Sequence, residues 1–239
     1  KEVTEATEDT LEAAITTLTN KHTPGKVSAE ILKIWDDAEN QDGKRPETIT
    51  AILVKNGEET DQKVTLSADN NWNAIIKDLD EYSNGTLNKY TWKEAEVPEG
   101  YEPTLNKTEG ISTTLTNTHT PETTDISVTK VWDDNNNQDG KRAPELTVEL
   151  MRNGTEVAGT VTLNEENNWT GTVENLDKYT GGVENVYTWA EKNLPEGYSL
   201  TETKKEVTEA TEDKLEAAIT TLTNKHTPGK VSAEILKIW

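Results

Sequence analysis

The chain contains no cysteine. Neither disulfides nor thiolate metal sites can brace it, although small extracellular domains commonly depend on such staples, so another form of bracing is worth seeking. No apolar run is long enough to span a bilayer, and Lys1-Glu2-Val3 is no signal peptide, so targeting segments are absent or have been cut away. Positive charge is scarce. Against 45 Asp and Glu stand 24 Lys and Arg, giving a formal net charge of -21, which argues against nucleic acid as a partner and against insertion into or adsorption on anionic membranes. Apolar stripes at helical spacing are nearly missing too.

What is present is repetition. Residues 33–101 align without a gap onto 130–198: LKIWDD, NQDGKR, NNW and YTWKEAEVPEGY are answered by TKVWDD, NQDGKR, NNW and YTWAEKNLPEGY, and each copy closes on TLTN followed by His-Thr-Pro. A chain of 239 residues therefore reads as two domains of about a hundred residues, 26–121 and 125–228. A second echo lies at the ends. Residues 1–35 match 205–239 at every position except Thr10 against Lys214, so 1–25 reads as the C-terminal fragment of a preceding repeat and 229–239 as the first strand of a following one. Duplicated ends could compete for strand positions and give strand-swapped self-association.

Within each copy, short runs rich in Thr, Val, Ile and Trp alternate with turn residues. Thr48 to Val54, then Asn56-Gly57, then Lys63 to Leu66 is hairpin grammar, because Asn-Gly supplies the positive φ angles of a type I′ turn; Asn153-Gly154 repeats it. The expected class is all-β, with two tandem antiparallel β-sandwiches. One exception is expected. Thr208 to Ile219 opens with Thr-x-x-Glu and continues Leu-Glu-Ala-Ala, which predicts a short helix inserted before the last strand of the second copy. The first copy has a shorter connection there, around Lys107 to Ile111. Linkers carrying His-Thr-Pro run over 21–26, 118–125 and 225–230, and their brevity predicts domains held close together.

Side chains alternate faces along a strand, so residues two apart share an environment. Lys33 shares a face with Ile31 and Trp35, and Lys130 with Val128 and Trp132; Glu94 follows Tyr90 and Trp92, and Glu191 follows Tyr187 and Trp189; Asn117 accompanies Leu115, and Asn224 accompanies Leu222. Three polar groups per copy are thereby expected in the core. Unpaired burial would cost several kcal/mol, so they should meet one another. A lone strand lysine is ordinarily a snorkelling side chain, and a buried ion pair with an asparagine partner is the next plain option. Against both stands the recurrence of all three types in both copies. A desolvated amine gives up its proton more readily, and a desolvated carboxylic acid keeps its own. Such an amine can attack the side-chain amide of asparagine while the acid polarises the carbonyl and shuttles protons; ammonia leaves, and a Lys-Asn isopeptide bond remains. Fixed geometry can supply roughly 7 to 11 kcal/mol of the barrier.

These residues carry a resemblance. VTKVWDDNNNQDGKRAPELTVEL with NNW, YTWAEKNLPEGY and TLTN resembles the Cna protein B-type domain of Gram-positive surface proteins, over essentially the whole chain. The resemblance implies an immunoglobulin-like sandwich in which the first-strand lysine and last-strand asparagine are joined, promoted by a glutamate: Lys33, Asn117 and Glu94, then Lys130, Asn224 and Glu191. Asn20 and Lys237 would be orphans in cut repeats. It also implies an extracellular, cell-wall-anchored location, no cofactor, and neighbouring repeats as partners, with a host matrix protein engaged through another domain. Closing a loop of this size would stabilise the fold by roughly 4 to 5 kcal/mol on the chain-entropy model.

The expected function is therefore a structural stalk of a surface adhesin, resisting mechanical and proteolytic stress, with a single-turnover self-reaction and no enzyme activity. Its rival is an adhesive module that itself binds a host matrix or surface glycoprotein. Other motifs read more plainly. The loops from Trp35 to Gly43 and Trp132 to Gly140 are oxygen-rich but lack EF-hand spacing, so a solvated turn is set ahead of calcium and no metal site is expected. The tryptophans read as core before ligand platform. His22, His119 and His226, one per linker, are too sparse for a metal site.

Overall fold

The computed structural model describes residues 2–3, 14–208 and 217–238, with the side chains of 16–207 and 218–238. Seven main strands build the first copy: β1 (Lys26–Asp36), β2 (Thr48–Lys55), β3 (Glu58–Ser67), β4 (Asn73–Asp80), β5 (Tyr90–Glu94), β6 (Glu102–Glu109) and β7 (Ser112–Thr118). Seven matching strands follow: β8 (Thr123–Asp133), β9 (Glu145–Arg152), β10 (Glu156–Asn164), β11 (Thr170–Asp177), β12 (Tyr187–Glu191), β13 (Ser199–Thr208) and β14 (Ala217–Lys225). Each copy is built on a four-stranded sheet and a three-stranded sheet, with a two-stranded ribbon besides, Tyr82–Ser83 with Thr86–Leu87 and Tyr179–Thr180 with Val183–Glu184. The orders are β6-β7-β1-β4 with β3-β2-β5, and β13-β14-β8-β11 with β10-β9-β12. Among the described residues the only helical turn is a single 3-10 turn, Ala68–Asn70. The expected all-β sandwich class is what the chain adopts.

The chain divides into two compact units, one comprising 1–34, 47–97 and 103–117, the other 35–46, 98–102 and 118–239. In both, alternation on the strands sorts side chains between core and surface. Ala29, Ile31, Ala51, Leu53, Leu66, Trp92 and Leu115 are buried in the first. In the second, Val128, Leu146, Val148, Leu163 and Leu222 form one cluster and Ile126, Leu150, Tyr187 and Ala218 another, with Trp132, Trp169 and Trp189 packed against them. Trp92 is thus a core residue, and Trp132, Trp169 and Trp189 line the core. Each fully buried Val or Leu contributes about 1.5 to 3 kcal/mol. The hairpin turns are as expected, with Asn56 at φ 54° and Gly57 at 91°, and Asn153 at 52° and Gly154 at 74°.

The expected helix at 208–219 is not adopted at its ends. Thr208 closes β13, and Ala217, Ala218 and Ile219 open β14; 209–216 lie outside the described residues. The reason is packing. Ala218 and Thr220 fill inward positions on the line that continues to Leu222 and Asn224, so sheet burial overrides local helix preference.

The acidic loops are turn-forming but are not simply solvated, which corrects the expectation. Three consecutive residues take left-handed φ in each, Ala38-Glu39-Asn40 and Asn135-Asn136-Asn137. Their folding frees Asp37 and Asp134 to turn inward, where both are buried. Asp134 accepts hydrogen bonds from Arg142 Nε at 2.9 Å and Nη2 at 2.6 Å, from the Tyr198 hydroxyl at 2.8 Å and from the Asn137 amide at 2.9 Å. Asp37 does the same with Arg45, Tyr101 and Asn40. The Arg142 hydrogen bonds hold the Asp134 carboxyl well below the usual carboxylate range, outweighing burial, and the Tyr198 hydroxyl, pushed up chiefly by burial, reaches about 12.

Asp134→Asn should cost about 2 to 4 kcal/mol in denaturant unfolding, because it strands the mostly buried Arg142. The sign of the pH effect is fixed by the direction of the shift. With a folded pKa below the ordinary 3.8, the contribution of Asp134 is full above that value and lost as pH falls through the folded one, so the wild-type advantage over Asp134→Asn should shrink in acid.

Candidate functional site

The lysine, glutamate and asparagine expected to meet do meet, in both copies. On β1 the burial alternates through Ala29, Ile31 and Lys33, and on β8 through Ile126, Val128 and Lys130. This places each amine on the apolar side of its sheet, with side-chain exposure of 0 % for both. The facing sheet supplies the carboxyl. Glu94 ends β5 and Glu191 ends β12, with side chains 6 % and 3 % exposed. Asn117 on β7 and Asn224 on β14 are 1 % and 0 % exposed.

Distances agree between the copies. Lys33 Nζ lies 3.5 Å from Glu94 Oε1, and Lys130 Nζ lies 3.5 Å from Glu191 Oε1. Asn117 Nδ2 donates to Glu94 Oε1 and Oε2, both at 3.0 Å, and Asn224 Nδ2 donates to Glu191 Oε1 at 3.0 Å. The carboxyl therefore sits between amine and amide. Backbone carbonyls hold the amines in place: Lys33 Nζ donates to Ile34 O at 3.0 Å and Leu115 O at 3.5 Å, and Lys130 Nζ donates to Val131 O at 2.9 Å and Leu222 O at 3.0 Å.

Burial lowers the Lys130 amine from 10.5 to about 8, with Glu191 opposing it. The Trp132 ring, its centroid 4.5 Å from Nζ, forms one wall of this dry site. Among the described residues of 126–225, three buried side-chain atoms have no hydrogen-bond partner, and all belong to this neighbourhood: Trp132 Nε1, Glu191 Oε2 and Asn224 Oδ1. An amine that gives up its proton more readily than usual, beside an amide and a carboxyl in a water-excluded core, is an arrangement suited to acyl transfer onto nitrogen.

Asn20 and Lys237 are placed differently. Both are exposed, in the segments 16–25 and 226–238 that have no regular secondary structure. No group of three or more His, Cys, Asp or Glu among the described residues could hold a metal ion. Asp42 instead binds His119: its Oδ2 lies 2.8 Å from His119 Nε2 and 2.8 Å from the Glu122 amide, while His119 Nδ1 meets Gly100 O at 2.7 Å. Asp139, His226, Gly197 and the Gly229 amide repeat the pattern. Spacing along the sequence gives these histidines no role. A signal is nonetheless there, since His-Thr-Pro and Gln-Asp-Gly recur together in both copies.

Comparison with known proteins gives the family. The model of the Cna protein B-type domain matches residues 29–118 and 126–225. The chain belongs to the Cna B-type family. A collagen adhesin of Staphylococcus aureus is 40 % identical over 224 residues, covering 94 % of this chain and 18 % of that protein. The single B repeat unit (B1) of the collagen-binding surface protein of the same organism is 39 % identical, covering 85 % of this chain and all of that one at a TM-score of 0.36. A structure of two of its B repeat units is 40 % identical, covering 87 % of this chain and 51 % of that one at a TM-score of 0.37. The Cna B-type chain described here thus spans less than a fifth of its full-length adhesin relative.

In an Asn224→Ala variant, where no bond to that residue can form, Lys130 should titrate near 8 by lysine side-chain NMR. Adding Glu191→Gln should lower it further, because Glu191 favours the charged amine. A folded pKa below the unfolded 10.5 means that the unfolded chain binds more protons between about 8 and 10.5, so the stability of Asn224→Ala should rise with pH across that window.

Proposed function

We propose that each Cna B-type repeat of this chain joins its own first and last strands by a Lys-Asn isopeptide bond, and that the repeats form a load-bearing stalk of a surface-anchored adhesin. The observation that supports this best is the duplicated trio, with the carboxyl between amine and amide at nearly the same distances in both copies. In the reaction, the neutral Nζ forms a bond to Cγ of the asparagine. One Nζ proton passes to the glutamate, a proton passes from the glutamate to Nδ2, the Cγ–Nδ2 bond breaks, and ammonia leaves. Glutamate ends as it began, while the lysine amine and the asparagine amide are both consumed, so the step occurs once per repeat and the chain is no turnover enzyme.

The mechanical consequence follows from topology. The lysines and asparagines lie on adjacent strands, β1 beside β7 and β8 beside β14, which are the first and last of each copy. A covalent link there carries load that would otherwise peel the strands apart, and supplies the bracing that missing cysteines cannot. The kinship with a collagen adhesin favours an extracellular, Gram-positive surface location. Neighbouring repeats would be the immediate partners, while matrix binding would belong to another part of the parent protein. Direct binding by these repeats remains the rival reading, which saturable nanomolar capture of a host glycoprotein by this chain alone would establish.

Intact mass should fall below the calculated value by two molecules of ammonia, one per complete copy, and Glu94→Ala with Glu191→Ala should restore it. A wild-type chain at full calculated mass would sink the proposal. The doubly substituted chain should also melt lower and be cut faster by protease.

Strand exchange between chains is a further proposed partnership. Residues 230–238 repeat the sequence of 26–34, which forms most of β1, and expose Val231, Ile235, Leu236 and Ile238. Concentration-dependent oligomers that vanish on trimming 1–20 and 230–239 are expected; a strictly monomeric chain at high concentration would count against exchange.

A further inference from the structure

The glutamate, expected to polarise the asparagine carbonyl, in copy two meets the amide nitrogen instead, which leaves the carbonyl oxygen without help. In copy two Glu191 Oε1 faces the leaving nitrogen of Asn224 and the attacking nitrogen of Lys130, so this carboxyl oxygen is placed to move protons between nitrogens. The Asn224 carbonyl oxygen, where negative charge develops as the tetrahedral intermediate forms, is buried and accepts no hydrogen bond. Acyl transfer is slow without a donor at that oxygen.

One donor is available. The Trp132 indole N–H is buried and equally without a partner. β8 and β14 are parallel, and their register pairs Trp132 with Asn224 directly. Paired residues on neighbouring strands project from the same face of a sheet, about 4.8 Å apart at the backbone. The same indole is held on several sides: Trp169 meets it edge-on at 5.2 Å, Tyr198 edge-on at 5.0 Å, and the Arg142 guanidinium lies 5.9 Å from its centroid. A ring so confined is already oriented before the reaction starts.

Resting on the isopeptide reading, we infer that Trp132 is a further participant in bond formation, its ring walling the Lys130 amine from water and its N–H donating to Asn224 Oδ1 as charge builds there. The donation makes and breaks no covalent bond. It strengthens as Cγ becomes tetrahedral and relaxes when Cγ–Nδ2 cleaves and the carbonyl reforms. The role belongs to the transition state, which is why both atoms stand unpaired beforehand.

The test removes the N–H, and its second variant also keeps the bicyclic ring. Trp132 is replaced by phenylalanine and, at the same position, by β-(3-benzothienyl)alanine, in which sulfur takes the place of the indole N–H. Formation of the Lys130–Asn224 link is followed by peptide mass mapping after a short expression pulse in the full chain, with Lys33–Asn117 as internal clock. Both variants are expected to slow copy two at least about tenfold relative to copy one, toward the hundredfold effect of losing an oxyanion donor. In a Lys130→Arg background, which cannot form the link, the benzothienyl analogue should melt with the parent, as loss of a donor used only in the reaction requires. A benzothienyl chain that links copy two at the wild-type rate overturns the role of Trp132 while leaving the bond intact. Absence of both links from the wild-type chain overturns the isopeptide reading itself, and this proposal with it.

Discussion

Everything distinctive in this chain follows from seating an amine inside a β-sandwich. Burying a charged ammonium without compensation is among the costliest things a fold can do, and the ordinary outcomes are a lost proton or a tight ion pair. Lys130 is drawn toward the first by burial and toward the second by Glu191. Neither is complete at 3.5 Å. The carboxyl is shared with the asparagine amide, which brings three groups that would each be a liability alone into one dry neighbourhood. A buried ion pair could be replaced by apolar side chains with little loss of stability. Retention of the whole trio in both copies is easier to understand as chemistry than as stabilisation.

The buried amine was legible because strands have a period of two. Ile31, Lys33 and Trp35 fall on one side by counting alone, and the internal repeat removed the option of accident. The same counting put Glu94 with Trp92 and Asn117 with Leu115. Distance across the sandwich was not legible, since no local pattern says that β5 faces β1 at the level of Lys33. Two features run against their local pattern. The Leu-Glu-Ala-Ala run looks helical only while its neighbours in space are unknown; once Ala218 joins the buried cluster of Ile126, Leu150 and Tyr187, extended backbone is the better-packed state. The acidic loop looks solvated until the left-handed turn at Asn135–Asn137 rotates Asp134 inward onto Arg142.

The histidines show a different limit. His119 and His226 are one per linker, so no spacing rule marks them, yet each has an acceptor at both ring nitrogens, a backbone carbonyl on one side and a carboxylate on the other. A neutral imidazole can satisfy only one of these as donor. For His226 the Gly197 carbonyl and the Asp139 carboxylate accordingly raise the ring above its ordinary 6.5. The contact is therefore full below 6.5 and fades as pH rises through the folded value.

In copy two these features form one continuous stack. Lys130 lies against Trp132, Trp132 meets Tyr198 edge-on at 5.0 Å, and Tyr198 stacks on His226 at 5.0 Å, which in turn is tied to Asp139. Tyr198 also closes the Asp134–Arg142 cluster through its hydroxyl. The ring that walls the amine is thus immobilised by the residues that fix the exit of the last strand. A force applied at the linker passes His226 and the paired Lys225 before it reaches Asn224, so a bond at Asn224 would intercept it after a single residue of strand pairing. Asn224 lies next to the last residue of β14 rather than in its middle, so the proposed link would be mechanical: the same bond several residues earlier would leave the strand's end free to peel.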